Sequence, residues 1–326
     1  MIRKKKSTRN GYGEGLVELG GKNPNVVVLD ADVSCSTKSD MFKKIYPDRF
    51  FNVGIAEQNL ITVASGLALA GKIPFATAYG AFITRGWEQI RISACYAKLN
   101  VKIAGTHCGI MTGPDGATHQ ILEDISIMRV LPNMTVIVPC DAVEAKKATI
   151  AMASHEGPCY IRLGRSSVPV ITKEDTPFEI GKAEVLKDGS DITLIACGYM
   201  INEVLQAAEI LLLHGVRARV INMHTIKPMD ENIVITAAME TGGIITVEEH
   251  QLMGGLGSAV AEVVVRKAPV PMDMIGIRNQ FGTSGSAEEL LRKYHLKDID
   301  IVKATEHLLS KKKGNRKKLL HKQDKR

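Results

Sequence analysis

The stretch Asn52-Val53-Gly54-Ile55-Ala56-Glu57-Gln58-Asn59 joins a strand to a helix and places one carboxylate at the turn. Apolar residues of strand type precede it at 50–53, and apolar residues follow it with helical spacing at 60, 63, 64, 67 and 68. A glutamate here is ordinarily a helix-start residue that stabilises the positive end of the dipole. We predict a chemical role for Glu57 because a segment rich in polar and turn-forming residues follows at 107–120.

Strand-length apolar runs alternate with helical patterns along the whole chain, which is typical of α/β domains with parallel sheets. The first set of strands is predicted at 26–29, 50–53, 73–78, 101–104, 135–138 and 159–161. Helices between them are predicted near 11–20, 56–70, 85–98, 120–130 and 141–154. A second set has strands at 192–197, 217–222, 243–247 and 272–277, with helices near 201–214, 230–240, 255–266, 286–295 and 304–313.

The predicted fold class is therefore α/β, with two parallel-sheet-based α/β/α domains. A proline-containing polar stretch without helical period separates them. We divide the chain into a basic N-terminal extension (1–9), a first domain (10–166), a linker (167–178), a second domain (179–310) and a basic tail expected to be disordered (311–326).

Charge and composition exclude several classes of function. The net charge is +7, but residues 10–310 hold 28 Lys and Arg against 34 Asp and Glu, so the basic charge belongs to the two ends. A nucleic-acid-binding domain would carry basic charge on the fold itself, and we expect none here. No apolar run reaches the length of about 18–20 residues that a membrane span needs. Six scattered cysteines without a C-x-x-C pair predict reduced thiols in a cytoplasmic protein.

Two segments contain side chains suited to binding a ligand. Tyr79 and Phe82 lie beside glycine and alanine, which leaves room for a planar ring to stack on them. Core packing is the more ordinary interpretation for Tyr79, and both interpretations stay open for Phe82. The segment 106–120 contains two histidines and an aspartate after a strand, where ligands of parallel sheets bind, although a surface turn is the alternative.

Two glycine-rich stretches are weak signals. Residues 254–259 lack the full G-x-G-x-x-G spacing of a dinucleotide loop, and we expect them to let a helix start approach the sheet closely. Residues 11–15 are an equally weak match.

Four motifs in order resemble the C-terminal half of transketolase, over about residues 8–310. They are N-V-G-I-A-E-Q-N (52–59), A-F-I-T-R-G-W-E-Q-I-R (81–91), H-C-G-I-M-T-G-P-D-G-A-T-H-Q (107–120) and L-E-D-I-S-I-M-R-V-L-P-N (122–133). Each motif is weakly specific, and the four together at matching spacing are strongly so. The resemblance implies a domain that binds the pyrimidine ring of thiamine diphosphate, followed by the transketolase C-terminal domain.

The resemblance implies cofactor contacts for four residues. Glu57 would contact N1′ of the aminopyrimidine and hold a proton near neutral pH. Phe82 would stack on the pyrimidine, and Tyr79 would line the same pocket. Asp32 matches an aspartate near the cofactor, although a strand-end turn explains it equally well.

The resemblance also implies contacts to substrate. Asp115 would hold the hydroxyl next to the donor carbonyl, and His119 would steady the donor's oxygen atoms. With Glu57, the histidines at 107 and 119 are the expected catalytic residues. The residues expected to bind the sugar phosphate are Arg9, Ser36, His107 and Arg165.

The cofactor's diphosphate requires a partner. Full-length transketolases hold Mg²⁺ and thiamine diphosphate with Gly-Asp-Gly followed some 25–30 residues later by Asn. The two Asp-Gly pairs in this sequence, at 115 and 188, have no Asn at that distance. The resemblance therefore implies a separate N-terminal subunit that carries the Mg²⁺ ligands, self-association into two plus two subunits, and sugar-phosphate substrates. No metal ligands are expected on this chain.

Other thiamine-dependent families share part of this pattern. The beta subunit of a thiamine-dependent 2-oxoacid or acetoin dehydrogenase shares the domain pair and the I-A-E-Q motif. Deoxyxylulose-phosphate synthase shares A-E-Q and D-G-x-T-H-Q but is normally one long chain. The two histidines and two candidate phosphate arginines favour a sugar-phosphate enzyme. A non-catalytic homologue is disfavoured because the candidate site residues occur together.

Overall fold

The computed structural model describes residues 4–323, with side chains as far as Lys312. The strands are β1 (Lys5–Lys6), β2 (Val26–Asp30), β3 (Phe50–Asn52), β4 (Ile73–Tyr79), β5 (Lys102–Thr106), β6 (Thr135–Ile137), β7 (Cys159–Arg162), β8 (Val168–Pro169), β9 (Glu184–Lys187), β10 (Ile192–Ala196), β11 (Ala218–Asn222), β12 (Thr225–Lys227), β13 (Ile244–Gln251) and β14 (Met272–Ile277). The helices are α1 (Thr8–Lys22), α2 (Ser34–Thr37), α3 (Asp40–Ile45), α4 (Glu57–Leu69), α5 (Gly80–Ile83), α6 (Trp87–Gln89), α7 (Asp124–Arg129), α8 (Ala142–Ser154), α9 (Met200–Leu213), α10 (Glu231–Thr241), α11 (Leu256–Lys267), α12 (Ala287–Lys293) and α13 (Asp298–Gln323).

Two sheets, both mainly parallel, organise the chain. The larger sheet has the order β12-β6-β7-β5-β4-β2-β3, and all its pairs are parallel except β12 with β6. The smaller sheet has the order β14-β13-β10-β11-β9, and only β9 runs antiparallel. Helices cover these sheets because parallel strands bury both faces. The predicted α/β fold class is confirmed.

The two sheets are coupled by an exchanged strand and a shared core. β12 follows β11 of the smaller sheet but pairs with β6 of the larger one, Thr225 opposite Ile137. One apolar cluster contains buried side chains from both sheets, for example Leu29 of β2 and Ile195 of β10. The site described below, which uses loops from both halves, therefore rests on a common core.

Helix α1 packs unusually close to α8. A Cβ atom on Gly11 would lie 1.9 Å from the backbone oxygen of Ala142, and one on Gly15 would lie 2.8 Å from Cβ of Thr149. The glycines at 11–15 therefore serve helix packing. The glycines near 255 behave as the sequence predicted, since a Cβ on Gly255 would lie 2.0 Å from the Glu248 carboxylate.

We expect Gly11→Ala to destabilise the chain by about 1–3 kcal/mol, because the added methyl group overlaps backbone that cannot move independently. Gly66→Ala is the matched control, since Gly66 also lies within a helix but has open space around it. That change should stabilise the chain by about 0.5–1 kcal/mol through helix propensity alone. Urea denaturation of both variants measures the difference. Equal effects of the two substitutions would contradict the close packing of α1 on α8.

Several predicted boundaries differ from the structure. The helix predicted at 85–98 is a 3₁₀ turn, the short α6 and a π-helical segment, Ile90–Tyr96. β9 and β12 were not predicted. The expected N-terminal extension is structured from β1 onward, because β1 pairs with β8 inside the expected linker.

The expected disordered tail is also corrected in part, since α13 continues to Gln323. Residues 1–3 and 324–326 lie outside the described residues. The exact domain boundaries stay a prediction. Within the described residues, no helix combines the length and apolar character needed to cross a membrane.

Candidate active site

All candidate residues except Arg9, which lies on α1, follow the carboxyl ends of five strands of the larger sheet. Asp32 and Ser36 follow β2, Glu57 follows β3, Tyr79 ends β4 with Phe82 just after it, and Arg165 follows β7. The segment after β5 supplies His107, Asp115 and His119. Parallel strands bring their carboxyl ends to one edge, so residues far apart in sequence meet there. From the sequence, this position was predicted for the segment 106–120 only.

Glu57 is a buried carboxylate without a partner. It is the first residue of α4 and is 4% exposed. Among the described residues, no group donates a hydrogen bond to its side chain or forms an ion pair with it. Gly86 permits the helix start to pack against the turn after Phe82, since a Cβ there would lie 3.0 Å from the Glu57 backbone oxygen. Its carboxyl oxygens are not among the described side-chain atoms that are both fully buried and without a partner, so they remain open to a ligand that enters the site.

Two aromatic rings form a stacked wall beside this position. The rings of Tyr79 and Phe82 have centroids 5.4 Å apart and planes 18° apart. His119 meets Phe82 edge-on at 5.2 Å, and His107 stacks on Tyr79 at 3.8 Å. The four rings together form a surface on which a planar heterocycle can stack at one end and polar atoms can bind at the other.

Two arginines lie at the other end of this wall. Arg9 donates from Nη1 to the Ser36 backbone oxygen at 2.5 Å and lies 3.3 Å from Nε2 of His107. Arg165 donates to the Thr112 backbone oxygen at 2.9 Å and lies 3.6 Å from the Asp115 carboxylate. Nε of Arg9 is buried and has no hydrogen-bond partner among the described atoms.

The electrostatics of this cluster favour an anion. Burial, and next the positive charge of Arg165, lower the pKa of Arg9. Arg9 forms no ion pair with a carboxylate in the described part of the chain. The guanidinium groups of Arg9 and Arg165 repel each other, and the N–H on Nε of Arg9 is buried without a partner among the described atoms. A phosphate or a similar oxyanion would bind between such donors and relieve the repulsion.

His107 is held neutral at the centre of the site. It is 2% exposed, and burial followed by the charges of Arg9 and Arg165 lowers its pKa to about 3. Because Arg9 donates to Nε2, the proton sits on Nδ1, which donates to the Thr106 hydroxyl at 3.0 Å. Its backbone φ of 57° is uncommon for a residue other than glycine and turns its ring over Tyr79.

Glycines shape the loop that connects His107 to His119. Gly109, Gly113 and Gly116 all have positive φ, at 88°, 77° and 73°. Side chains other than glycine rarely adopt this conformation, so the glycines let the loop fold back on the sheet edge. Asp115 is thereby brought beside Arg165, and His119 beside Phe82.

Ser36 and Asp32 contribute differently from the expectation. Ser36 contacts Arg9 through its backbone oxygen, so the structure gives its hydroxyl no part in that contact. Asp32 is exposed, has a φ of 64° and accepts a hydrogen bond from Asn52 at 2.8 Å. That geometry agrees with a strand-end turn, and its role beside a cofactor stays a prediction.

The sequence did not reveal the buried side chains that hold the loop between His107 and His119 in place. Arg162 and Asp124 form a buried ion pair at 2.8 Å, and Tyr160 donates to the same carboxylate. Gln120 donates from Nε2 to the backbone oxygens of 110, 113 and 283, and so fastens the loop to the second half. Glu249 of β13 accepts from the Met111 backbone N–H at 2.5 Å. The run Glu248-Glu249-His250 after an apolar strand was the available signal.

In this sheet, a buried glutamate and two stacked aromatic rings follow the carboxyl ends of parallel strands. This arrangement is typical of the pyrimidine-binding domain of thiamine-dependent enzymes. Two family profiles match this chain. The profile described as "Transketolase, pyrimidine binding domain" matches residues 4–170, and the profile "Transketolase, C-terminal domain" matches residues 181–301. The chain belongs to the transketolase family.

Relatives place the chain within that family. It is 48% identical over 302 residues to a protein of Methanocaldococcus jannaschii named as a transketolase C-terminal section, covering 91% of this chain and 95% of that protein. It is 41% identical to the 6-deoxy-6-sulfo-D-fructose transketolase subunit SqwH of Clostridium sp. (strain MSTE9), covering 93% and 95%. It is 36% identical to human transketolase, covering 94% of this chain and 49% of that enzyme.

A solved structure agrees. The chain described as "Split gene transketolase, inactive beta4 tetramer" is 50% identical, superposes with a TM-score of 0.88 and covers 93% of this chain and 98% of that one. The resemblance to the C-terminal half of transketolase is confirmed, and it is favoured over the oxoacid dehydrogenase alternative.

Proposed function

We propose that this chain is the C-terminal subunit of a split transketolase. Together with a separate N-terminal subunit, it transfers a two-carbon ketol unit from a ketose phosphate to an aldose phosphate. The observation that carries this proposal is one sheet edge that holds two features: a buried glutamate without a partner among the described residues, and two arginines of which Arg9 has no carboxylate partner there. A thiamine-dependent enzyme acting on sugar phosphates needs both features.

The residues present fit the pyrimidine ring of thiamine diphosphate. When bound, the cofactor supplies a carbon nucleophile and an electron sink for breaking the bond beside a ketose carbonyl. Glu57 would share its carboxyl proton with N1′ of the pyrimidine, which gives the buried carboxylate the partner that it lacks. Phe82 and Tyr79 would hold the ring face and keep water away from it.

Other side chains would bind and orient the sugar. Asp115 would accept a hydrogen bond from the hydroxyl next to the donor carbonyl, and His119 would steady the donor's oxygen atoms. Arg9 and Arg165 would bind the phosphate at the far end of the aromatic wall. His107, neutral at physiological pH because its pKa is about 3, would act there as a hydrogen-bonding group.

A partner subunit is proposed from the relatives and from the surface beside Glu57. Two relatives that this chain matches over most of their length are named a C-terminal section and a subunit. Large apolar side chains are exposed on β3, on α4 and on the π-helical segment, a surface that suits burial against another subunit. These residues are Phe51, Ile55, Val63, Leu69, Ile92 and Tyr96.

The partner would supply the diphosphate and Mg²⁺ ligands. The solved split-gene transketolase is an inactive beta4 tetramer, so its beta chains associate with each other. By analogy with that self-association, a heterotetramer of two plus two subunits is proposed for the active form. All six cysteines are free, which agrees with action in the cytoplasm. A place in pentose phosphate metabolism is proposed from the sugar-phosphate chemistry.

We expect the purified chain to have no ketol-transfer activity. Mixing it with an N-terminal-type transketolase subunit should produce transfer that depends on both thiamine diphosphate and Mg²⁺. The physical reason is that this chain offers the pyrimidine and sugar contacts, while the diphosphate contacts come from the partner. The measurement is turnover of a ketose phosphate donor with ribose 5-phosphate as acceptor.

The N-terminal subunit by itself is the control and should also be inactive. Robust transfer by the purified chain alone would contradict the proposed division of the site. Activity of the mixture that needed no thiamine diphosphate would contradict the proposed chemistry.

A further inference from the structure

Glu249, in the second half of the chain, contacts the loop of the first half that connects His107 to His119. Glu249 lies near the end of β13, is buried, and accepts the Met111 N–H at 2.5 Å. A Cβ atom on Gly109 would lie 2.4 Å from the Glu249 carboxyl carbon, so the loop backbone rests directly on this carboxyl group. Arg162 holds the same strand in place by donating to the Glu249 backbone oxygen at 3.0 Å.

The Met111 region is linked to the anion-binding residues by short contacts. Thr112 donates from its hydroxyl to the His107 backbone oxygen at 2.6 Å, and Arg165 donates to the Thr112 backbone oxygen at 2.9 Å. Ser166 donates to the Met111 backbone oxygen at 2.7 Å. A shift of the backbone at 110–112 would therefore move His107 and Arg165 together.

We propose that Glu249 is a positioning residue, through which the second half of the chain sets the loop that carries His107 and Asp115 and thereby the position of Arg165. It touches no reacting atom and acts through the Met111 N–H. The kinetic consequence rests on the proposed transketolase function. The structural consequence does not, because it concerns the order of the loop in the chain itself.

The adjacent glutamate provides a contrast. Glu248 is equally buried, but its carboxylate accepts the N–H groups of Leu256 and Gly257 at the start of α11, at 2.7 and 2.8 Å. Burial raises the pKa of Glu248 to about 8 and that of Glu249 to about 7, so both sit in comparable surroundings. The two carboxyl groups differ in the backbone N–H groups that they accept: those at the start of α11 for Glu248, and that of Met111 for Glu249. Glu248 is therefore a matched control.

The test compares E249M, E249Q and E248Q by amide hydrogen exchange of the full chain by itself. Methionine matches the length of glutamate but offers no oxygen to the Met111 N–H, whereas glutamine still offers one. We expect E249M to speed exchange in peptides spanning 107–116 by about tenfold, the effect of losing one buried hydrogen bond. E249Q should stay near the native rate, and E248Q should speed exchange only near 254–260.

Each outcome decides the inference. Native exchange at 107–116 in E249M would overturn it. Faster exchange in E249M spread evenly over the second half, with no excess at 107–116, would show a merely structural role and would also overturn it. In the active complex, E249M should raise KM for ribose 5-phosphate by about tenfold, more than it lowers kcat, while E249Q restores KM.

Failure of every complex, including the native one, to transfer ketol units would count against the proposed function only. The exchange comparison would still decide the role of Glu249.

Discussion

Glu57→Gln is expected to lower kcat of the reconstituted enzyme by about 10²- to 10⁴-fold, the contribution of a positioned acid–base group. Glutamine preserves the size of the side chain but cannot share a carboxyl proton with N1′ of the pyrimidine. The folded chain should be little disturbed, since the native carboxylate has no partner to lose among the described residues. Exchange of the C2 proton of the bound cofactor is the direct measurement, with kcat as the second.

Glu209→Gln is the control for this substitution. Glu209 lies on α9 of the second half, is largely exposed and pairs only with Lys187 among the residues with described side chains. It should leave kcat unchanged. Native rates of C2 proton exchange in the Glu57→Gln enzyme would contradict the role of Glu57.

Arg9→Ala and Arg165→Ala are each expected to raise KM for ribose 5-phosphate by roughly 10- to 150-fold. The loss corresponds to about 1.5–3 kcal/mol, the scale of a charge-assisted hydrogen bond. Transfer with free ribose as acceptor should change little, because the lost contact is remote from the reacting carbon and mainly affects binding. Steady-state kinetics with the two acceptors measures the difference.

Arg292→Ala is the matched control, since Arg292 is an exposed arginine on α12 that pairs with Glu288. It should affect neither acceptor. Equal losses for ribose 5-phosphate and free ribose in the Arg9 and Arg165 variants would mean that these residues serve folding or subunit contact instead of binding the phosphate.

Much of the fold and of the site followed from local sequence. Apolar runs of strand length predicted most strands of both sheets. A parallel strand is buried on both faces, so its successive residues are apolar. The segment that carries His107 was predicted at the carboxyl edge of the sheet because it follows a strand. The structure stacks Tyr79 on Phe82 and brings the charge of Arg165 close enough to lower the pKa of Arg9, while the roles that the resemblance implied for these residues stay predictions.

Long-range pairing explains what could not be predicted. β12 is three residues long and finds its partner strand some ninety positions earlier, so no local period reveals it. The strand predicted to end at 247 continues to Gln251. Glu248 is buried against the start of α11, while Glu249 and His250 are buried against Met111 and Ser126 of the first half. The charged run at 248–250 after an apolar strand was the local sign, but it could not show that Glu249 contacts the loop at Met111, since that contact joins distant parts of the chain.

Binding of thiamine diphosphate tests the central claim most directly, namely that this chain holds one half of a divided cofactor site. Calorimetric titration with Mg²⁺ present should be run on the chain, on the N-terminal subunit and on their mixture. We predict tight, saturable binding in the mixture and much weaker binding to the chain alone. Binding to the chain alone that is as tight as binding to the mixture would contradict the divided site.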